Sequence, residues 1–402
     1  MPNLTQMRSQ PRAARHPGLL ALLVGLLSGC VTPPAKDRFP PIMLDRLIAA
    51  EAERAGLPGA SFAVLRHGEL VHLSAFGVAD VDSGVALSPS ARMRIASVSK
   101  PITAITAVRL AELQLLDLDA PVVALLAARL PANRPPHPGF ARLTARHLLG
   151  HCGGFDREGD VDPMLNARRM AERLKVASPP SATTLVAWAL AQPPDFAPGT
   201  RCVYSNVGYA VLGRIIEAAT GMDYAQAVQV HVLQPAGIVA MRLAATLPAQ
   251  RAPDEPRYHD ERMVRSVFDP GLAVPLPDGG FAIEPMDAHG GWLASAADLV
   301  RLLGAVETDT DTPLLTPDGR RQMLTPPFPR APGGEAYALG WEVAQSGRQH
   351  WHSGDLPGST ALLVREADGS AWALLTNGTV RDGFFHDRLR RRIGAALRAI
   401  EW

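Results

Sequence analysis

Ile95-Ala-Ser97-Val-Ser-Lys100 is the stretch on which the reading of this chain turns. From it to Gln114 the residues Val98, Ile102, Ile105, Leu110 and Leu113 recur at roughly helical spacing, and Pro101 falls in the first turn, where its missing N–H removes no bond. The spacing predicts a helix over 97–114 with Ser97 at its N-terminus. Lys100, three residues on, then lies one turn away and faces the serine hydroxyl. Lysine is scarce: of 40 basic residues all but Lys36, Lys100 and Lys175 are arginine. Arginine cannot give up its proton, whereas a buried lysine can be pushed toward neutrality and act as a base. The helix N-terminus adds unpaired N–H groups that can face a developing oxyanion. A surface helix that starts with serine and carries a lysine three residues later has the same pattern, so the rest of the chain has to decide.

Further on stand Pro198-Gly199-Thr200, then Tyr204-Ser205-Asn206, and much later His352-Ser353-Gly354. Together with Ser97-x-x-Lys100 these resemble the three active-site motifs of the serine penicillin-recognising enzymes. The match is to the Tyr-x-Asn branch: class C β-lactamases, serine DD-peptidases and β-lactamase-like esterases. The phrases Leu116-Asp-Leu-Asp-Ala-Pro121, Leu148-Leu-Gly-His-Cys-Gly-Gly-Phe155, Gly290-Gly-Trp-Leu-Ala-Ser295 and Ala338-Leu-Gly-Trp341 resemble the same family, and the resemblance covers about residues 42 to 400.

The resemblance implies roles. Ser97 would attack a carbonyl, with Lys100 and Tyr204 sharing its proton. Asn206 would hold Lys100 and the acyl-side amide of the substrate. The N–H groups of Ser97 and of Asp355, just past the His352-Ser353-Gly354 strand, would form the oxyanion hole. The family's β-lactamases carry lysine where this chain has His352. A neutral imidazole holds a carboxylate less firmly than an ammonium does, which favours an ester or a D-amino-acid peptide over an anionic β-lactam. No metal or organic cofactor is implied. His147 and His151, four residues apart, lack the intervening glutamate of a zinc-peptidase helix and read as helix-end structural residues. No Gly-x-Ser-x-Gly elbow and no glycine-rich phosphate loop occurs. Trp292 and Trp341 read as core. The rival from another class is a catalytically silent lipoprotein that binds envelope peptides in the same pocket; Lys100 beside Ser97 argues against it, because a mere binder has no use for that pair.

The organisation is that of a mixed α/β (α+β) fold. Residues 42–56 suit an amphipathic helix; 60–66 and 69–76, split by His67-Gly68, suit a hairpin; 337–343, 359–365 and 371–376 read as strands; 384–400 reads as an Arg-rich closing helix. A helix over 207–220 should stop at Gly221. Strands at both ends around a helical middle predict one antiparallel sheet built from both termini and flanked by helices, with a helical region inserted. The stretch 248–285, dense in proline and charge, reads as a surface excursion or lid.

Ahead of this domain, Arg8, Arg12 and Arg15 precede an apolar run over 18–27 that is too short to span a bilayer. The run ends in Leu27-Ser28-Gly29-Cys30, which resembles a lipobox. The expectation is a signal peptide over 1–29, a lipid anchor on Cys30, a Pro-rich tether over 30–41 and the hydrolase domain over 42–402, held at the periplasmic face of the envelope, with Val31 favouring the outer membrane of a Gram-negative cell. The other two cysteines, Cys152 and Cys202, are either a disulfide or two buried thiols, and the sequence leaves both open. With 40 basic and 39 acidic residues there is no net field for nucleic acid, so the partners expected are a small-molecule or peptide substrate and the membrane; the oligomeric state is not written in the sequence.

Overall fold

The His67-Gly68 turn has both residues at positive φ, 50° and 79°, which is what a two-residue type I′ hairpin requires. It joins Gly59–Arg66 (β1) to Glu69–Gly77 (β2). The computed structural model describes residues 42–156, 162–307, 313–327 and 336–400; the leader, the tether and Cys30 lie outside the described residues. The further strands are Met93–Arg94 (β3), Arg242–Leu243 (β4), Met263–Arg265 (β5), Ala273–Pro275 (β6), Trp292–Ala294 (β7), Ala336–Tyr337 (β8), Glu342–Val343 (β9), His350–Leu356 (β10), Ser359–Arg365 (β11) and Ala371–Thr376 (β12). The main sheet runs β2-β1-β12-β11-β10-β9-β8 and its pairs are antiparallel, so a strand from the start of the domain lies between its hairpin partner and the last strand.

β1 is buried on both faces. Ala63 and Leu65 pack with Leu299 and Leu303 of the helix Ala296–Glu307, and Phe62, one residue out of step, meets His72 and Trp372. His72 in turn bonds Asp45 of the helix Ile42–Arg54, and Arg388 on the closing helix Phe385–Ala399 bonds Glu51 of that same first helix at 2.8 Å. The sheet is thus sandwiched between helices. The segment read as one strand over 337–343 is two short strands, because Ala338 N–H bonds the Trp341 carbonyl at 2.8 Å and Gly340 takes φ 84° in the turn between them. Trp292 and Trp341 are fully buried.

Two expectations are corrected. The helix begins at Ser99, not Ser97: a 3₁₀ turn over Ala96–Val98 comes first, and Ala96 holds φ 47°, a left-handed conformation that costs a non-glycine residue about 1 kcal/mol. The 248–285 stretch is not a lid over the surface, since it buries Tyr258, Phe281 and Ile283. Its anchor is Arg94 on β3, itself buried, whose guanidinium donates to the carbonyls of Pro277 (2.8 Å), Ala245 (2.9 Å) and Thr246 (3.0 Å), while Tyr258 bridges the Arg94 N–H to Glu255. A buried guanidinium needs acceptors, and the Pro-rich turns supply free carbonyls. The hairpin of β5 and β6 lies at the surface, with Met263 exposed.

Candidate active site

The small sheet β3-β7-β4 carries Ile95 up to the Ser97 turn, with Ile95 N–H on the Trp292 carbonyl at 3.0 Å. From there the chain enters the helix Ser99–Glu112, which is buried along most of its length and runs through the core. Ser97 is half-buried and Lys100 has no exposed surface. Lys100 Nζ lies 2.9 Å from each of Ser97 Oγ, Asn206 Oδ1 and the His289 carbonyl.

The second motif is placed by a helix start. Ser205 caps Asn206–Thr220 by accepting from Gly208 N–H, so Asn206 is the first helical residue and Tyr204 lies just before the cap; Gly221, at φ 71°, ends the helix as expected. The Tyr204 ring lies under the Lys100 ammonium, 4.7 Å from ring centre to Nζ. It packs against His151 with ring centres 4.2 Å apart and the planes tilted by 42°, and His151 Nδ1 accepts from Ser205 N–H at 3.1 Å. Cys152 and Cys202 form a disulfide that ties these two segments together, beside the Val203 N–H to His151 carbonyl bond of 2.9 Å. His147 completes a capping box with Thr144, so both histidines serve helix ends and the motif loop.

The third motif lies on β10. β9 pairs only with His350 and Trp351, so from His352 onward that edge of β10 has no strand partner among the described residues. His352 and Gly354 share the face toward the Ser97 turn: a Cβ on Gly354 would lie 2.7 Å from Ser97 N. Ser353 and Asp355 alternate to the other face, where Asp355 accepts from Thr360 Oγ1 at 2.9 Å and His386 of the closing helix approaches it. What Asp355 offers the site is therefore its backbone. His352 Nδ1–H donates to the Ser353 carbonyl (2.6 Å), leaving Nε2 to accept from Tyr337 O–H (2.9 Å). Burial, helped by the charge of Lys100, pushes the His352 imidazole down to about 3, and burial likewise holds His289 well below the ordinary histidine range.

His352 thus brings no positive charge to the cleft at physiological pH. It also makes stability depend on pH with a definite sign. Its folded-state value lies below the unfolded 6.5, so its contribution is complete above about pH 6.5 and is lost as pH falls toward 3. By pH 5 the loss is about 2 kcal/mol. His352→Gln, whose amide can accept from Tyr337 and donate to Ser353, should remove that part of the decline; denaturant titrations of both proteins at pH 7.5 and 5 check it, and identical declines would refute the assignment.

Three groups at the site, Asp162, the His289 carbonyl and Tyr337, carried no signal in the sequence, and His151 stood out there only as a helix-end residue. Asp162 Oδ2 accepts from Asn206 Nδ2 at 2.7 Å across 44 residues of chain, with nothing in its neighbourhood to announce it. The carbonyl of His289 has no side-chain identity to read, although it directly precedes the quoted Gly290-Gly291-Trp292 phrase. Tyr337 and His151 pack 4.3 Å apart in the aromatic cluster under Tyr204.

A family model described as Beta-lactamase matches residues 44–397. Esterase EstB of Burkholderia gladioli is 31% identical over 300 residues, covering 66% of this chain and 70% of that protein. Penicillin-binding protein 4* of Bacillus subtilis is 25% identical over 313 residues, covering 75% of this chain, which spans 64% of that protein. Among solved structures, the octameric penicillin-binding protein homologue from Pyrococcus abyssi superposes with a TM-score of 0.68 at 22% identity, over 89% of this chain and 78% of that one.

Proposed function

The chain belongs to the β-lactamase family of serine hydrolases, and we propose that it works through an acyl-enzyme on Ser97, cleaving an ester, an amide or a D-amino-acid peptide bond rather than a β-lactam. The observation that carries this is the contact of the fully buried Lys100 Nζ with the half-buried Ser97 Oγ at 2.9 Å. Two neighbours of Nζ, Asn206 Oδ1 and the His289 carbonyl, can only accept, and Asp162 fixes which way the Asn206 amide points. A neutral amine with two N–H groups meets both and keeps its lone pair for the serine proton. Ser97 Oγ then adds to the carbonyl carbon, Tyr204 hands a proton to the leaving group, and water cleaves the acyl-enzyme.

The uncharged His352, held by Tyr337, supports the preference for substrates without an anionic group at that position. On the sequence of the first 41 residues alone, we place the protein on a lipid anchor at Cys30, facing the periplasm. Incubation with a fluorophosphonate and, separately, with a fluorescent penicillin, followed by intact-mass measurement, tests the nucleophile. One fluorophosphonate adduct is expected, absent in Ser97→Ala, with a faint penicillin adduct or none. No adduct from either reagent would favour the silent peptide binder.

A further inference from the structure

A carboxylate stands at the far end of the hydrogen bonds that start at the nucleophile. Ser97 Oγ meets Lys100 Nζ, Nζ meets Asn206 Oδ1, and Asn206 Nδ2–H donates to Asp162 Oδ2 at 2.7 Å. The other carboxylate oxygen, Oδ1, accepts from Met164 N–H at 2.9 Å. The backbone holds Asp162 as well: its carbonyl accepts from Leu165 N–H at 3.1 Å and from Asn166 Nδ2 at 2.9 Å, in the turn that leads into the helix Ala167–Leu174. Both side-chain oxygens thus face N–H donors. A carboxylate meets both, whereas an amide at 162 would set its own NH₂ against one of them, donor against donor. Among the described residues the Asp162 side chain bonds Asn206 and Met164 but neither Ser97 nor Lys100, so whatever it does for the reaction it does through Asn206.

We propose that Asp162 is a positioning residue for the base: it locks the Asn206 amide with its oxygen toward Lys100 and so keeps the lone pair of the neutral amine for Ser97. The inference rests on the acyl-enzyme reading above. An asparagine amide has two orientations that fill the same space. In the one present here, Oδ1 accepts from Nζ, and a deprotonated Nζ gives its two N–H groups to Asn206 and the His289 carbonyl. In the flipped one, the amide NH₂ faces Nζ. A neutral amine accepts that N–H, and its lone pair then points at Asn206 instead of at the serine proton. Lys100 alone does not prevent the flip, because a neutral amine both donates and accepts. Asp162 prevents it, since the flip would also turn Asn206 Oδ1 against a carboxylate. The lock therefore acts in the protonation state that does the chemistry. It also has a sign in pH: removing the carboxylate takes a negative charge from the neighbourhood of the ammonium, and a flipped amide bonds the neutral amine, so both effects favour the neutral form. The other ionisable groups around Nζ are the phenols of Tyr204 and Tyr209, the imidazoles of His289 and His352 and, on the His289 loop, Asp287, which pairs with Arg214. None of them bonds Asp162, so a limb that moves when residue 162 changes reports Lys100.

The rate at which a fluorophosphonate labels Ser97 reads the base in a single step: the Oγ–phosphorus bond forms, fluoride leaves, and the serine proton goes to the base. Followed from about pH 5 to about pH 9, the parent should show a limb that rises with pH. In Asp162→Ala the rate on the high-pH side should fall by roughly 10- to 10²-fold, a share of the 10²- to 10⁴-fold that a general base supplies, and the limb should move to lower pH. Asp162→Asn keeps the volume and one acceptor and stands in if the alanine variant does not fold; its limb should move the same way, with a smaller loss. A double-mutant cycle separates positioning from structure. Because Asp162 works through Asn206, removing it from an Asn206→Ala protein should change the high-pH rate by no more than about twofold. Losses that add in full, or a limb that stays in place in both Asp162 variants, make Asp162 a structural residue and overturn the proposal. A parent protein that takes no label at any pH removes the acyl-enzyme reading and the proposal with it, whereas a labelled parent with additive losses removes the proposal alone.

Discussion

Replacing Lys100 by arginine is expected to lower the rate of acylation by roughly 10²- to 10⁴-fold, the range for losing a general base. The positive charge is kept; what is lost is the ability to receive a proton. Nζ can donate as an ammonium to all three of Ser97 Oγ, Asn206 Oδ1 and the His289 carbonyl; on losing a proton it keeps two N–H groups for Asn206 and His289 and gains a lone pair for the Ser97 proton. Arginine has no lone pair to offer and is larger than the space it would enter, so melting temperatures must accompany the rates. The pH profile is the independent check. With Lys100 in place, acylation should rise with pH as the amine loses its proton, and in the variant that limb should vanish, whatever the loss in amplitude. A Lys100→Arg protein with near-parental turnover, alongside an inactive Ser97→Ala, would move the base to Tyr204.

The sequence marked this pair because lysine is rare in it and because three-residue spacing survives a change of helix type. Ser97 lies in a 3₁₀ turn and not in the α-helix, yet Lys100 still reaches it, since both geometries bring residues i and i+3 together. The hairpin of β1 and β2, the strands β11 and β12, and the helix stop at Gly221 were likewise legible, each fixed by local turn chemistry or by runs long enough to show a pattern. What escaped depends on partners distant in the chain. β3, β4 and β7 have two or three residues each, too few for any alternation to show. The burial of the 248–285 stretch rests on partners far off in the chain: Arg94 donates to the Pro277 carbonyl 183 residues downstream, and Phe281 and Ile283 join an apolar cluster with Ala96, Leu293 and Leu356. Asp162 is invisible until Asn206 is seen to need an acceptor for its amide N–H.

Gly354 gives the second large effect, and here the cause is space and not dihedral freedom, for its φ lies outside the left-handed region. A Cβ at this position would lie 2.5 Å from the Ile95 carbonyl oxygen, 2.7 Å from Ser97 N and 3.0 Å from Val98 N. All three are backbone atoms, so no side chain can rotate away; either β10 or the Ser97 turn has to move. Those two segments carry the N–H groups of Asp355 and Ser97 assigned to the oxyanion, and the added methyl pries them apart. Gly354→Ala should therefore lower kcat by about 10²- to 10³-fold, the cost of one lost oxyanion donor or of a 1 Å misplacement, with a destabilisation of about 1–3 kcal/mol from overpacking. Gly383→Ala is the matched comparison, since a Cβ there meets nothing within 4 Å; it should stay within about 0.5 kcal/mol of the parent and turn over normally. Steady-state kinetics with a p-nitrophenyl ester, together with thermal melts of the three proteins, decide it. If Gly354→Ala folds and keeps parental kcat, the close approach of β10 to Ser97 is not what positions the oxyanion hole.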